Sequence, residues 1–386
     1  MTGPAAGAAI DVERRAALNG AKLSGLVAAH WGSGDRRRGT IGATATLVEV
    51  PADGPSAGPA DAETTGTGAS VGDGSGSVSG ADGWVLADGD AARMLGPALA
   101  WADRQGVSRL HLLADADHGV AGVLARQADL FADAPTVWAI DGTVLTPAEA
   151  APPPGRLPAP APSELVDLLI DAGLEIVVEG GMVRGEVNGL EVARIVHGTT
   201  TAGEPIDEPR LEVGVGKADR ELTAMVHSGL PAVDQLARVT EIVRGHRAPG
   251  APRHPLNQLV PDRWLRAVLC RDPGLVGLVT LRPAEGARPR PNLAERDVAL
   301  AVGEDSAGDP VVVACSVGIA LDLVPTAADG RLAIDANGGA HADTPPSHLF
   351  LAVPERDDHP GTRRLAARLR APATVVPVPG DWRAAA

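Results

Sequence analysis

Residues 174–198 read LEIVVEGGMVRGEVNGLEVARIVHG, and residues 210–227 read RLEVGVGKADRELTAMVH. Valine, leucine and isoleucine recur among charged residues in three runs, which is typical of half-buried strands, and the third run then changes to helical spacing. A helix is also predicted before them, over 163–173, where Ser163 is placed to cap it and Gly173 to end it. This stretch therefore predicts an α-β-β-β-α module.

The two ends of the chain share a second pattern. HLLADADHGVAGVLARQADLFADAPTVWAIDG (111–142) aligns with FLAVPERDDHPGTRRLAARLRAPATVVPVPG (350–380). Each end predicts strands in a hairpin followed by helix, strand, helix and strand, which gives a partly parallel sheet. The expected fold class is α/β, with two related strand-hairpin/βαβ modules at the ends and the α-β-β-β-α module between them.

Composition places the domain boundaries. A run rich in Gly, Ser, Ala and Asp predicts a flexible insertion, and proline-rich runs predict linkers. In the first module we also expect a charged turn at Asp35–Arg38 and a single strand at Thr40–Val50. The predicted segments are an N-terminal α/β module over 1–146 with the insertion at 51–82, a Pro-rich linker over 147–162, the central module over 163–250, an Arg/Pro-rich connection over 251–290, and a related C-terminal α/β module over 291–386.

The chain is strongly acidic overall but contains one basic segment. The 386 residues carry a formal net charge of −15, which argues against a protein that coats nucleic acid. From Arg244 to Arg296, however, ten arginines face four acids. That stretch predicts a local basic surface, or alternatively a solvated arginine-rich face in a chain that uses arginine in place of lysine.

Cysteine content and hydropathy bound the class of protein. The two cysteines, Cys270 and Cys315, exclude a disulfide framework and a four-cysteine zinc site. The first twenty residues lack the apolar run of a signal peptide, and no run of about 18 apolar residues is long enough to span a bilayer. We therefore expect a cytoplasmic protein without a membrane segment.

The central module holds the strongest candidate site. Glu186, Glu191 and Glu212 lie among its strand residues, and Lys217 follows. Carboxylates are hard oxygen ligands for Mg²⁺, and a nearby lysine can orient or deprotonate an attacking water. These residue types are spaced so that they could form a metal site.

The order of a helix, three antiparallel strands and a helix resembles the restriction-endonuclease-like PD-(D/E)XK nuclease superfamily. In that family an acid on the second strand and an acid-x-lysine on the third hold a divalent metal. The resemblance implies that Glu191 and Glu212 bind Mg²⁺ and that Lys217 is catalytic, with Glu164 on the preceding helix as a further acid.

The sequence departs from the family at one position. Two residues after Glu212, where the family has lysine, the chain has Gly214, and Lys217 lies five residues after that acid. On a continuous strand Lys217 would point to the opposite face, so it could serve only if the chain turned at Gly216. The alternative is an ordinary hairpin edge with its glutamates on the solvent face.

The terminal modules resemble the same superfamily in outline. Asp297 takes the place of the second-strand acid, while Ala314-Cys315-Ser316 replaces acid-x-lysine, and the N-terminal module has Ala87-Asp88 at the matching point. The resemblance implies inactive copies that kept the fold.

Three further groups have both a functional and a structural interpretation. Each could form part of a site, but the structural interpretation is preferred for all three: a buried core cysteine, a helix start and a linker turn. They are Cys315 with His348 or His359, the set Asp115, Asp117 and His118, and the set Arg253, His254 and Asn257. No P-loop, dinucleotide fingerprint or GxSxG elbow occurs, which leaves kinase, dehydrogenase and serine-hydrolase functions without support.

Taken together, the patterns favour a nucleic-acid-associated protein with a degenerate nuclease-like fold, which could be a metal-dependent nuclease through its central module. The alternative is a non-enzymatic adaptor or chaperone-like protein-binding module, because a net charge of −15 suits a protein partner better than DNA. The sequence leaves enzymatic activity open, as it leaves the choice between a protein partner and nucleic acid.

Overall fold

The computed structural model describes residues 4–42, 44–50, 81–158, 163–199, 205–226, 231–290, 292–338 and 345–385. These residues form the predicted α/β fold, with nine α-helices and three sheets. Two compact units separate: one holds the described residues of Met1–Asp129 and Ala134–Ala151, the other those of Leu130–Asp133 and Pro152–Ala386. Most of the predicted insertion, residues 51–80, lies outside the described residues, as do residues 159–162 of the predicted linker. Within the described part of the chain, no helix has the length and apolar character needed to cross a membrane.

The first unit is built on a six-stranded sheet. Its strands follow chain order across the sheet, and the two central pairings, β3 with β4 and β4 with β5, are parallel while the others are antiparallel. The elements are α1 (Pro4–Trp31), β1 (Arg36–Ile41), β2 (Thr44–Glu49), β3 (Ala81–Ala87), α2 (Leu95–Gln105), β4 (Val107–Asp115), α3 (Val120–Ala128), β5 (Thr136–Asp141) and β6 (Val144–Pro147).

Apolar burial holds α1 against this sheet. Leu23 and Val27 of α1 are fully buried in one cluster with Leu47, Trp84 and Leu113 from three strands. Burying each such side chain contributes about 1.5–3 kcal/mol relative to leaving it exposed. The first unit therefore has a core of its own.

The second unit contains a four-stranded antiparallel sheet of order β10-β9-β8-β7 and a five-stranded sheet of order β11 to β15. Elements around the first sheet are α4 (Glu164–Asp171), β7 (Glu175–Glu179), β8 (Met182–Val187), β9 (Leu190–Thr199), β10 (Pro205–Val213), α5 (Gly216–Val226) and α6 (Ala232–His246). Elements around the second are α7 (Pro261–Arg271), β11 (Thr280–Ala284), β12 (Ala299–Glu304), β13 (Pro310–Cys315), α8 (Leu323–Asn337), β14 (His348–Pro354), α9 (Pro360–Ala367) and β15 (Thr374–Val378).

The predicted equivalence of element order at the two ends of the chain is confirmed. In β1 to β5 and again in β11 to β15, two antiparallel pairings are followed by two parallel ones. A helix precedes each set, and a helix lies in each parallel crossover. Whether the two sets arose by duplication stays a prediction.

Two local predictions are wrong, both because a tight turn divides what looked like one strand. Residues 35–38 are not a turn; Arg36–Arg38 belong to β1, which pairs with β2 around Gly42 (φ 60°). In the central module the middle run is two strands, β8 and β9, joined at Asn188-Gly189. Both turn residues have positive φ (47° and 75°), as a two-residue hairpin with Asn-Gly requires. The module therefore has four strands where three were expected.

Candidate functional site

A cavity of about 1180 Å³ lies within the second unit. The antiparallel sheet, α5 and α7 contribute one group of arginines to its lining: Arg184, Arg194, Arg220 and Arg263. The chain before α4, strand β11 and the connection to β12 contribute a second group: Arg156, Arg282, Arg288 and Arg290. We refer to this cavity as the arginine cleft.

The cleft carries an excess of positive charge. With Lys217, nine cationic side chains line it, against the four acids Glu179, Glu191, Glu285 and Asp297. Charges at such walls are screened less than exposed charges, because little water separates them. Cations therefore outnumber acids in this lining, in a chain whose net charge is −15, although Glu212, Glu186 and Asp262 behind the lining pair with Arg194, Arg263 and Arg290.

Glu191 is one of the acids predicted to bind metal, and it is buried, with 3% of its surface exposed. It lies near the start of β9, opposite Glu186 of β8 in the sheet register. Its carboxylate accepts hydrogen bonds from Arg184 Nη1 at 2.5 Å and from Arg220 Nη1 at 2.9 Å. Each oxygen thus already has a guanidinium partner.

Glu212, the second predicted ligand, lies on β10 opposite Arg194. Arg194 donates to Glu212 Oε2 through Nε at 3.0 Å and Nη2 at 2.8 Å. Arg220 Nε is 3.7 Å from the same oxygen. Arg220 therefore contacts both predicted ligands, and the alternative in which these glutamates face solvent on a hairpin edge is wrong.

Lys217, the predicted catalytic residue, lies in the first turn of α5, just after Gly216 (φ 77°). Its side chain is 66% exposed and lies 3.8 Å from Glu221, one helical turn later. Exposed pairs of this kind contribute only about 0.3–0.5 kcal/mol. Lys217 lines the arginine cleft together with Glu191.

The arrangement does not fit Mg²⁺ as it stands. The ion requires oxygens at about 2.1 Å in near-octahedral geometry, whereas both oxygens of Glu191 and Oε2 of Glu212 already accept hydrogen bonds from arginine. Glu164 is exposed on the first turn of α4. Among the described residues, no three His, Cys, Asp or Glu side chains cluster as a metal site. The metal assignment stays a prediction.

A second ionic cluster was missed by sequence reasoning. Glu179 and Glu186 of the antiparallel sheet pair with Arg263 and Arg266 of α7; the Arg263–Glu186 and Arg266–Glu186 distances are 2.9 and 3.0 Å. Burial raises the pKa of Glu179, but the attraction of Arg263, Arg266 and Arg184 outweighs it and lowers that pKa to about 2. The signal was the RWLR segment, whose arginines are three residues apart and therefore share a helix face.

Asp262, the neighbour of Arg263, has the opposite character. It is 1% exposed and pairs with Arg290 from the connection to β12. Burial raises its pKa to about 6, although Arg290 acts against that rise. Burial likewise lowers the pKa of Arg290. Both directions show that desolvation outweighs the mutual attraction of this pair.

Several polar atoms at the cleft have no hydrogen-bond partner. Among the described residues, these buried atoms include Arg184 Nε, Arg220 Nε and Arg288 Nη2. Among the described residues, the ionic contacts of Arg288 Nη2 are 3.7 Å to Asp297 and 3.8 Å to Asp322. A buried donor left without an acceptor costs about 1–3 kcal/mol. These unsatisfied donors, together with the unsatisfied acceptor Glu285 Oε2, lie buried beside the cleft.

The remaining sequence candidates occupy structural positions. Cys315 is fully buried in the core, and burial raises its pKa well above the usual value, so the thiol is not activated. Asp115 pairs with Lys22 at 2.8 Å. His254 caps a short turn, where its Nδ1 accepts from Leu256 N at 3.3 Å. Cys315, Asp115 and His254 therefore each have a structural environment that involves no ligand.

The basic stretch found in the sequence has a definite location. Arg263, Arg282, Arg288 and Arg290 from it line the cleft, while Arg247 and Arg266 are buried. The sequence predicted the excess of arginine but not its place in a cavity. The other arginines of that cavity, Arg184, Arg194 and Arg220, lie in the central module, where only the glutamates and Lys217 were considered. No family model matches the chain, and neither a curated protein nor a solved structure matches it.

Proposed function

We propose that this protein is a nucleic-acid-associated binding protein whose arginine cleft holds phosphate groups without hydrolysing them. The observation that carries the proposal is the excess of nine cationic over four anionic side chains around one cavity. Arginine suits this role because its planar fork of N–H donors matches the geometry of a phosphate. Phosphate contacts of this kind supply most of the sequence-independent affinity for nucleic acid.

In this proposal Glu191 and Glu212 position arginines. Each carboxylate fixes two guanidinium groups, and Arg220 is shared between them. An arginine held in this way loses little further side-chain entropy when it binds an anion. The nuclease activity implied by the family resemblance would instead require Arg220 to yield its place to a metal.

Charge sets the expected strength of binding. The overall charge of −15 opposes the approach of a polyanion, while the cleft attracts it at short range. At 0.1 M salt the Debye length is about 10 Å, so remote acids are largely screened. We expect binding that is weak at physiological salt and much stronger at low salt.

Fluorescence anisotropy with a labelled single-stranded oligonucleotide tests the proposal. Arg282→Gln and Arg288→Gln remove cleft charges, and Arg238→Gln removes an exposed arginine of α6 as the matched control. For each lost phosphate contact, the slope of log affinity against log salt should fall by about 0.7. Failure to bind at 50 mM salt, or equal losses in all three variants, would overturn the proposal.

The adaptor function is the second candidate, favoured by the net charge of −15. An acidic surface suits a basic protein partner, since complementary charge steers association. Absence of oligonucleotide binding in the same titration would leave this candidate standing.

A further inference from the structure

The residues that line the arginine cleft also indicate which part of a nucleic acid it would contact. Building on the proposed function, we propose that the cleft takes a single strand by its phosphodiester backbone and leaves the bases unread. The evidence is a set of buried guanidinium atoms without hydrogen-bond partners, a described lining that contains no aromatic residue, and the hydrogen bonds of the asparagine side chains in that lining.

Arg220 provides the first observation. Its side chain is about 10% exposed, and its Nη1 is already used by Glu191 at 2.9 Å. Its Nε has no hydrogen-bond partner among the described residues, since Glu212 is 3.7 Å away. Arg184 Nε and Arg288 Nη2, from two other residues of the lining, are also buried without a hydrogen-bond partner among the described residues. A chain of phosphates presents acceptors that several such donors can share.

The second observation concerns stacking. None of the described residues that line the cleft is aromatic. Proteins that read single-stranded bases rely on aromatic side chains as stacking platforms. The apolar part of this lining is aliphatic instead, with residues such as Val215, Leu293 and Leu300. The described part of the lining therefore offers no aromatic platform on which a base could stack.

The third observation concerns base edges. Reading adenine typically needs an Asn or Gln side chain with free donor and acceptor groups. The lining contains two such residues, and both are engaged within the protein. Asn292 Nδ2 donates to Glu295 at 2.5 Å, and its Oδ1 accepts from two backbone N–H groups. Asn337 Nδ2 donates to Pro154 O at 3.0 Å and Ala333 O at 2.6 Å, and its Oδ1 accepts from Arg156 N at 2.9 Å.

Cavity size agrees with an extended ligand. Small-molecule pockets span roughly 300–1,000 Å³, and the arginine cleft encloses about 1180 Å³. A single phosphate ion would contact only a few of the nine cations. A strand that places successive phosphates along the lining would reach both arginine groups.

Competition anisotropy on the full chain tests this inference. The probe is a labelled oligothymidine, and the competitors are a mixed-sequence strand, an abasic strand of the same length and inorganic polyphosphate. We expect the two strands to compete within about twofold of each other, and polyphosphate to displace the probe completely. A mixed-sequence strand that competes more than tenfold better than the abasic strand would overturn the inference, as would polyphosphate that does not compete.

Variants tie the result to the cleft. Arg220→Gln should weaken all three competitors by a similar factor of at least five, because it removes the buried Nε donor. Since that change also removes one partner of Glu191, Arg288→Gln serves as the second variant if tryptophan fluorescence shows that the first does not fold. Unequal weakening among the competitors would contradict backbone recognition. If no anion binds at all, the proposed function fails; if strands bind with a base preference, only this inference fails.

Discussion

Arg220 Nη1 lies 2.9 Å from Glu191 Oε1, and Nε of the same guanidinium lies 3.7 Å from Glu212 Oε2. Two carboxylates drawn toward one point repel each other unless a cation lies between them. In a metal-dependent nuclease that cation is a divalent ion, whereas here an arginine from α5 takes the position. The sequence feature that suggested a metal site therefore has a second physical explanation, and the two can be distinguished.

Removing the Glu191 carboxylate should destabilise the second unit. Glu191→Ala leaves Arg184 and Arg220 without their closest acid in a buried setting. Loss of one partner of a buried ion pair typically costs about 3–5 kcal/mol. Urea unfolding followed by tryptophan fluorescence measures the change in the free energy of unfolding.

The matched control is Glu221→Ala, which removes an acid whose side chain is 45% exposed. We expect a change below about 0.5 kcal/mol there, because exposed pairs contribute little. Equal losses in the two variants would show that the buried network has no special role.

Magnesium provides the second test. Because arginines neutralise Glu191 and Glu212, we expect millimolar Mg²⁺ to leave the thermal midpoint unchanged and to produce no nicking of plasmid DNA. A metal that bound the folded state would raise the midpoint by mass action. A rise in the wild type that is absent from Glu212→Ala would support the metal site instead.

The low pKa of Glu179 should make the free energy of unfolding depend on pH in the acidic range. Its pKa falls from an ordinary 4.5 to about 2 in the folded protein, so its contribution is fully present above pH 4.5 and is lost as the pH falls toward 2. That shift corresponds to about 3 kcal/mol. The stability difference between wild type and Glu179→Gln should shrink steadily over that range in urea titrations. A difference that is constant with pH would contradict the assignment.

Asp262 should make the free energy of unfolding depend on pH in the opposite direction. Its pKa rises from 3.8 to about 6 on folding, so the folded state binds the proton more tightly, and this stabilisation is present below pH 3.8 and lost as the pH rises through 6. The loss should approach about 3 kcal/mol. Asp262→Asn cannot titrate, so wild type should lose stability relative to this variant between pH 4 and 6. The same urea series at closely spaced pH values checks it.

Gly189 permits a close approach between the β8–β9 turn and α7. A Cβ at this position would overlap the backbone carbonyl of Arg263 and lie 2.6 Å from Trp264 N. Gly189→Ala should therefore displace α7 and weaken its ion pairs with the sheet. Gly250→Ala is the matched control, since its φ of 74° is nearly the same as the 75° of Gly189 and nothing lies within 4 Å of its Cβ.

Comparing the two variants isolates the steric part from the cost of positive φ, which is common to both. We expect Gly189→Ala to lower the free energy of unfolding by at least 2 kcal/mol more than Gly250→Ala. Equal values would mean that the turn can move away from α7 at little cost.

Local patterns were sufficient to predict most elements. The matching order from β2 to β5 and from β12 to β15, with its parallel crossovers, followed from strand and helix periodicity, whereas the outer strands β1 and β11 were not predicted. The error in the central module arose from neglecting Asn188-Gly189, although Asn-Gly is the strongest short hairpin signal. That signal was present in the sequence and would have given the fourth strand.

The cleft could not be predicted in the same way. Arg184 and Arg288 are more than one hundred residues apart, and only tertiary structure brings them to the same cavity. Similarly, nothing local to Glu191 on β9 shows that its partner is Arg220, which lies on α5 and is separated from β9 in the sequence by strand β10. Spacing identified the acids as notable, and the identity of the cation beside them depended on packing.

One consequence follows from how the cleft obtains its charge. Eight of its nine cations are guanidinium groups, and Lys217 is one of only two lysines in the whole sequence. Acylation of amines, which neutralises lysine but leaves arginine intact, can therefore change the cleft by a single positive charge. Lysine acylation would therefore have little effect on the affinity of the cleft for a polyanion.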